Sequence, residues 1–112
     1  YMNGQGVEKS DSEAVKLFRK AAEQGLAHAQ FNFGMMYLEG RGVLKDASQA
    51  MQLFVKAANQ GVAASQFCVG MMYMSGQTVP KSNSEAIKWL QKAADQGDKN
   101  ALTILKNISK HN

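Results

Sequence analysis

The side chains able to do chemistry are few in this chain, and none stands beside the partner it would need. His28 and His111 have no Cys, His or carboxylate at metal-ligand spacing, so no metal site is expected and both read as surface histidines. Cys68 is the single cysteine; without an intrachain partner it makes no disulfide, and within a helical pattern it reads as a small buried apolar residue. Lys20, Lys56 and Lys92 recur at one spacing, as do Tyr37 and Tyr73. Lysine stems laid along a neighbouring helix account for the first set. The tyrosines read as hydroxyl donors buried near a loop, not as activated nucleophiles. No Ser-x-x-Lys occurs, which removes one familiar opening for acyl transfer. The expectation is a protein that is not an enzyme and carries no cofactor.

What recurs instead is scaffolding. Residues 1–36 laid over residues 37–72 match at 20 of 36 positions without a gap, and the register continues from Tyr73 to about Asp98. Three copies share Tyr1/Tyr37/Tyr73, Gly4/Gly40/Gly76, Val7/Val43/Val79, the Ala-Ala pairs starting at Ala21, Ala57 and Ala93, and Gly25/Gly61/Gly97. Small residues, turn glycines and apolar anchors at a fixed period are what a solenoid needs, because each unit buries its apolar face only on its neighbours.

Each copy contains two helical patterns. Ser10 with Glu13, Asp46 with Gln49 and Ser82 with Glu85 are capping boxes, predicting helices over Asp11 to Gln24, Ala47 to Gln60 and Asn83 to Gln96. Gly25, Gly61 and Gly97 end them, since a left-handed residue at that point costs glycine nothing. After a very short turn a second helix follows over Ala27 to Glu39, Ala63 to Ser75 and Lys99 to Lys110, which makes the two antiparallel neighbours. Gly34 and Gly70 lie inside these second helices, where glycine costs about 1 kcal/mol against alanine. Close approach of another backbone would explain that loss, with Ala50 facing Gly34 and Ala86 facing Gly70. Val43 and Val79 read as plugs over the open end of each pair.

At 45% apolar and 20% charged the composition is that of an ordinary folded domain, and no apolar run is long enough to span a membrane. The net charge of +4 comes from scattered lysines, with no basic stripe carrying aromatic platforms, so nucleic acid is not an expected partner. The chain opens at Tyr1 in mid-repeat and reads as a piece of a longer protein whose compartment, cytoplasm or periplasm, stays open.

The run Ala29-Gln30-Phe31-Asn32-Phe33-Gly34-Met35-Met36-Tyr37-Leu38-Glu39-Gly40-Arg41-Gly42-Val43, followed by Lys56-Ala57-Ala58-Asn59-Gln60-Gly61, resembles a Sel1-like repeat, a relative of the tetratricopeptide repeat. The resemblance implies an all-α right-handed superhelix of antiparallel helix pairs that binds protein or peptide. It organises the 112 residues as one domain: a partial repeat 1–36, repeat units near 27–60 and 63–96, and a capping helix near 98–110. Leu102, Lys106 and Ser109 replace the glutamine, glycine and tyrosine of the earlier copies, as suits a last helix that receives no further repeat. Thr78 stands where Gly6 and Gly42 do, and Pro80 follows Val79, so the third loop should differ locally.

In related repeats the glycine-bearing helices line the concave face. Gln30, Phe33, Gly34 and Tyr37 share the stripe packed into the pair, and His28, Phe31, Met35, Leu38 and Glu39 form the opposite one, repeated as Ala64, Phe67, Met71, Met74 and Ser75. Such rows are either buried between neighbouring helices or held open for a ligand; seven methionines, flexible and polarizable, favour an adaptable groove. Farther along, Thr103, Asn107 and Lys110 make the face polar and positive. The expected function is a non-enzymatic adaptor whose Phe/Met groove takes a partner peptide or helix. The alternatives are an immunity or regulatory protein that covers a cognate toxin or enzyme and, third, a hydrolase of the β-lactamase-like kind attributed to some members. The N-terminal end, where the helix over Asp11 to Gln24 lies, is expected to carry Val15 and Phe18 uncovered and to self-associate.

Overall fold

A computed structural model describes the backbone of residues 4–110 and the side chains of residues 11–108. Tyr1, His111 and the side chains of Ser10, Ser109 and Lys110 lie outside the described residues. Six helices follow in order: α1 Gly4–Glu23, α2 Ala27–Glu39, α3 Ala47–Asn59, α4 Ala63–Ser75, α5 Asn83–Asp95 and α6 Lys99–Lys110, with no strand among the described residues. Each packs chiefly on its neighbours in sequence, as stacked antiparallel pairs must. The molecule measures 49 × 28 × 25 Å with a radius of gyration of 15.2 Å. A compact domain of this length would have about 13 Å, so the excess is that of a stack growing along one axis.

The helix ends show why the same residues recur. Gly25, Gly61 and Gly97 sit at φ +88°, +98° and +95°. At each, the glycine N–H bonds the second alanine carbonyl of the Ala-Ala pair and the next residue's N–H bonds the first: Gly25 to Ala22 at 2.9 Å, Leu26 to Ala21 at 3.2 Å. This double closure satisfies two carbonyls that a helix end otherwise leaves bare. A Cβ at these three glycines would meet nothing within 4 Å, so backbone angle alone demands glycine there.

The capping boxes are half built. Asp46 Oδ1 accepts from the Gln49 N–H at 3.0 Å and Ser82 Oγ from the Glu85 N–H at 3.2 Å. The reciprocal half is supplied differently: the Asp46 N–H donates to the Tyr37 carbonyl at 2.9 Å and the Ser82 N–H to the Tyr73 carbonyl at 3.0 Å. At both positions the tyrosine contributes its backbone carbonyl to the start of the next capped helix, a bond the sequence reading did not include. Helix α1 also starts earlier than its capping box implies, at Gly4 instead of Asp11. The carbonyl corresponding to that of Tyr37 would belong to Tyr1, outside the described residues.

Val43 packs on a cluster of Val15, Ala22, Ala29, Phe33 and Met36, and Val79 on one built around Ala50, Met51, Phe54, Ala58, Val69 and Trp89. Val15 is only 5% exposed, and a Cβ at Gly42 would fall 2.8 Å from its Cγ2. The expectation that Val15 faces outward is thus wrong: the α2–α3 loop lies on it. Phe18 is half-buried against the same cluster. Among the described side chains of α1, the outward apolar residue is Leu17, 71% exposed. In the loops, Gly42 takes φ +75° whereas Thr78 avoids the left-handed region, so the third loop does differ.

Ser65 is fully buried and its hydroxyl has no partner. Its equivalents in the other pairs are Ala29 and Ala101, both buried. An unpaired buried hydroxyl costs about 1–3 kcal/mol and serine is the poorer helix former. Ser65→Ala should raise stability by about 1 kcal/mol in urea denaturation; a destabilised variant would reveal a bond that the hydroxyl makes after all.

Candidate protein-binding hollow

Among the described residues, several side chains facing away from the pair interiors line two hollows. The first, of about 320 Å³, is lined by Leu38, Phe54, Phe67, Cys68, Met71, Met72 and Ser75. Leu38 comes from the last turn of α2, the others except Phe54 from one face of α4. Phe54 of α3 forms the floor. It is fully buried because α2 offers it a glycine: a Cβ on Gly34 would lie 2.8 Å from Phe54 Cε1 and 3.3 Å from the Ala50 carbonyl. Gly70 repeats the device against Leu90, at 2.8 Å from its Cγ and 3.2 Å from the Ala86 carbonyl. The glycines thus let the following helix sink into the pair, and Phe54 reaches under the hollow for that reason.

The second hollow, of about 460 Å³, is more polar and joins Ala27, His28 and Phe31 of α2 to Gln60, Gly61, Val62, Ala63, Ala64 and Gln96. Phe31 and His28 therefore open on a different recess from Leu38, Phe67 and Met71. Met35 and Leu38 pack half-buried on the central cluster, and Phe31 lies with its ring 5.7 Å from that of Phe54. Met74 packs with Phe67 and Met71 on the last cluster, beside Ile104, Leu105 and Ile108 of α6. Asn107 is exposed. Tyr37 packs its ring tilted against that of Phe33, with centroids 4.9 Å apart, inside its own pair.

Cys68 turns out to be half-buried and to line the apolar hollow. Burial pushes its thiol up to about 11, with the Asp98 charge adding to the shift. A thiol so raised stays protonated near neutral pH and is a poor nucleophile. Of the recurring lysines, Lys92 holds its ammonium 5.2 Å over the Trp89 ring of its own helix.

One structural set was hidden in plain repetition. Gln60 Nε2 donates to the Gly25 carbonyl at 3.0 Å and to Gln30 Oε1 at 2.8 Å. Gln96 Nε2 donates to the Gly61 carbonyl at 2.8 Å and to Gln66 Oε1 at 3.0 Å. Gln30 and Gln66 in turn donate to the Ala22 and Ala58 carbonyls at 3.4 and 3.2 Å. This carboxamide ladder ties each pair to the one before it. Identity at positions 24, 60 and 96 and at 30 and 66 was the available signal.

The family model of the Sel1 repeat matches residues 1–26, 27–62 and 63–98. Among solved structures, a Sel1 repeat protein from Oxalobacter formigenes is 38% identical, with a TM-score of 0.78 over 80% of this chain and 37% of its own. The c5321 protein, a protective antigen of uropathogenic Escherichia coli strains displaying an SLR fold, is 38% identical with a TM-score of 0.82, over 84% of this chain and 20% of its own. Helicobacter pylori cysteine rich protein B is 25% identical with a TM-score of 0.75, over 92% of this chain and 72% of its own. The chain thus spans about a third and a fifth of the length of the first two. No curated protein is a significant match. With three consecutive repeats matched over most of its length, the chain belongs to the Sel1 repeat family, whose members are generally protein-interaction scaffolds and typically not enzymes.

Proposed function

We propose that this segment is a non-enzymatic adaptor that takes apolar anchor side chains of a partner peptide or helix into the hollow between α2 and α4. The observation that supports it most is the lining: Leu38, Phe67, Met71 and Met72 over a Phe54 floor, with Ser75 as the polar margin. A recess of about 320 Å³ is at the lower end of ligand-site sizes and suits one or two aliphatic or aromatic side chains. Methionine thioethers reshape at little cost, so the hollow accepts differing anchors. Its thiol, protonated at neutral pH, is a lining group and not a nucleophile.

Peptide display against the purified protein tests the reading. Enriched sequences should carry apolar residues at helical spacing, and occupancy should shield Cys68 from alkylation. Phe67→Ala should weaken the selected peptides roughly tenfold or more, which is about 1.4 kcal/mol. Because Phe67 and Met71 both also pack on the last cluster, Ser75→Arg, at the exposed margin of the hollow and outside the packed clusters, provides the second variant. Peptides that bind both variants as tightly as the parent, or that leave Cys68 as reactive as before, would overturn the reading.

A further inference from the structure

We infer that the α4 wall of the apolar hollow is a site for a soft monovalent cation of the Cu(I) and Ag(I) class, held by the sulfur atoms of Cys68, Met71 and Met72. All three residues line the hollow of about 320 Å³, and all three are half-buried, so an ion reaches them from solvent. They stand at i, i+3 and i+4 of one helix, the spacing that sets side chains over the same turn. Cys68 and Met72 pack on the central cluster and Met71 on the last one, so this sulfur-bearing face spans the seam between the two. Unbranched thioether arms with three rotatable bonds can close on one point without moving the helix.

The repeat does not require this set. At the same positions the preceding pair has Asn32, Met35 and Met36, with Met36 buried, and the last pair has Ile104, Asn107 and Ile108. Among the three pairs, three sulfurs occur together once, on the wall of the open hollow. No group of three His, Cys, Asp or Glu that could hold a metal occurs among the described residues, and the lining offers neither imidazole nor carboxylate. Such a wall suits neither magnesium nor calcium, which take oxygen ligands; thiolate and thioether donors select Cu(I). Charge points the same way. A bound metal displaces the thiol proton to solvent, so a monovalent ion enters as a proton leaves and the lining stays neutral. A divalent ion would bring net positive charge into an apolar recess. The Asp98 carboxylate, whose charge reaches Cys68 from outside the lining, favours either cation and does not choose between them.

Competition for Cu(I) against the colorimetric chelator bicinchoninate, under ascorbate and without peptide, tests this on the 112-residue chain. The protein should withdraw one Cu(I) per chain from the chelate, Ag(I) should displace it, and Zn(II) at equal concentration should not. Copper X-ray absorption should show sulfur neighbours alone. Met71→Leu and Met72→Leu, which keep the apolar volume, should each weaken binding by about tenfold or more, and Cys68→Ala by about 100-fold. Helical circular dichroism should be unchanged in all three. No copper withdrawn, or Zn(II) bound as tightly, would overturn the proposal. So would leucine variants that bind Cu(I) as tightly as the parent, because a lone thiol would then be taking the metal. Failure here leaves the peptide reading standing, since the titration contains no peptide, and copper binding would not by itself support that reading.

Discussion

Phe54→Ala is expected to lower the free energy of unfolding by about 3–5 kcal/mol, the range for truncating a buried aromatic ring. The ring is fully buried, lies edge-on to Gly34 and forms the floor of the apolar hollow. Removing it forfeits the transfer of the ring from water and leaves a cavity that helices held by the Gln60–Gln30 bond cannot readily collapse. The same change deepens the hollow, so selected peptides should favour larger anchors in this variant if it still folds. Urea denaturation followed by circular dichroism measures the loss. A decrease below about 1 kcal/mol would mean that the floor residue is not a principal packing element.

Gly34→Leu attacks the same contact from the other side and should cost about 1–3 kcal/mol through overpacking, even though leucine is the better helix former. The Cβ alone would fall 2.8 Å from the Phe54 ring, and the Ala50 carbonyl at 3.3 Å leaves the backbones no room to share the strain. The two substitutions are in contact, so they should not add: Gly34→Leu combined with Phe54→Ala should cost less than the sum, because the leucine enters the space that the ring vacates. Unchanged thermal stability of Gly34→Leu would mean that α2 and α3 meet in another register. Strict additivity in the double variant would remove Phe54 as the residue that makes Gly34 necessary.

The period, the number of helices and nearly all their boundaries are legible in the sequence because they rest on local chemistry repeated three times. Gly25, Gly61 and Gly97 are forced by backbone angle alone, and Asp46 and Ser82 announce helix starts whose bonds span three residues. Val15 and Leu17 mark where such reading stops. Both are apolar residues on one helix, two positions apart, yet the first is buried within the cluster of Ala22, Ala29, Phe33 and Met36 and under the loop folded back through Gly42, while the second stays bare. Likewise the stripe of Phe31, Met35, Phe67 and Met71 is continuous along the sequence pattern, yet Phe31 and Phe67 open on different hollows. The angle at which one pair sits on the next comes from how deeply Phe54 and Leu90 sink over Gly34 and Gly70, and from carboxamide bonds reaching 30 and 35 residues along the chain. Helix identity is a sum of short-range preferences, which a sequence displays residue by residue. The shape of the exposed face depends on distances between elements, and those exist only once the pairs are stacked.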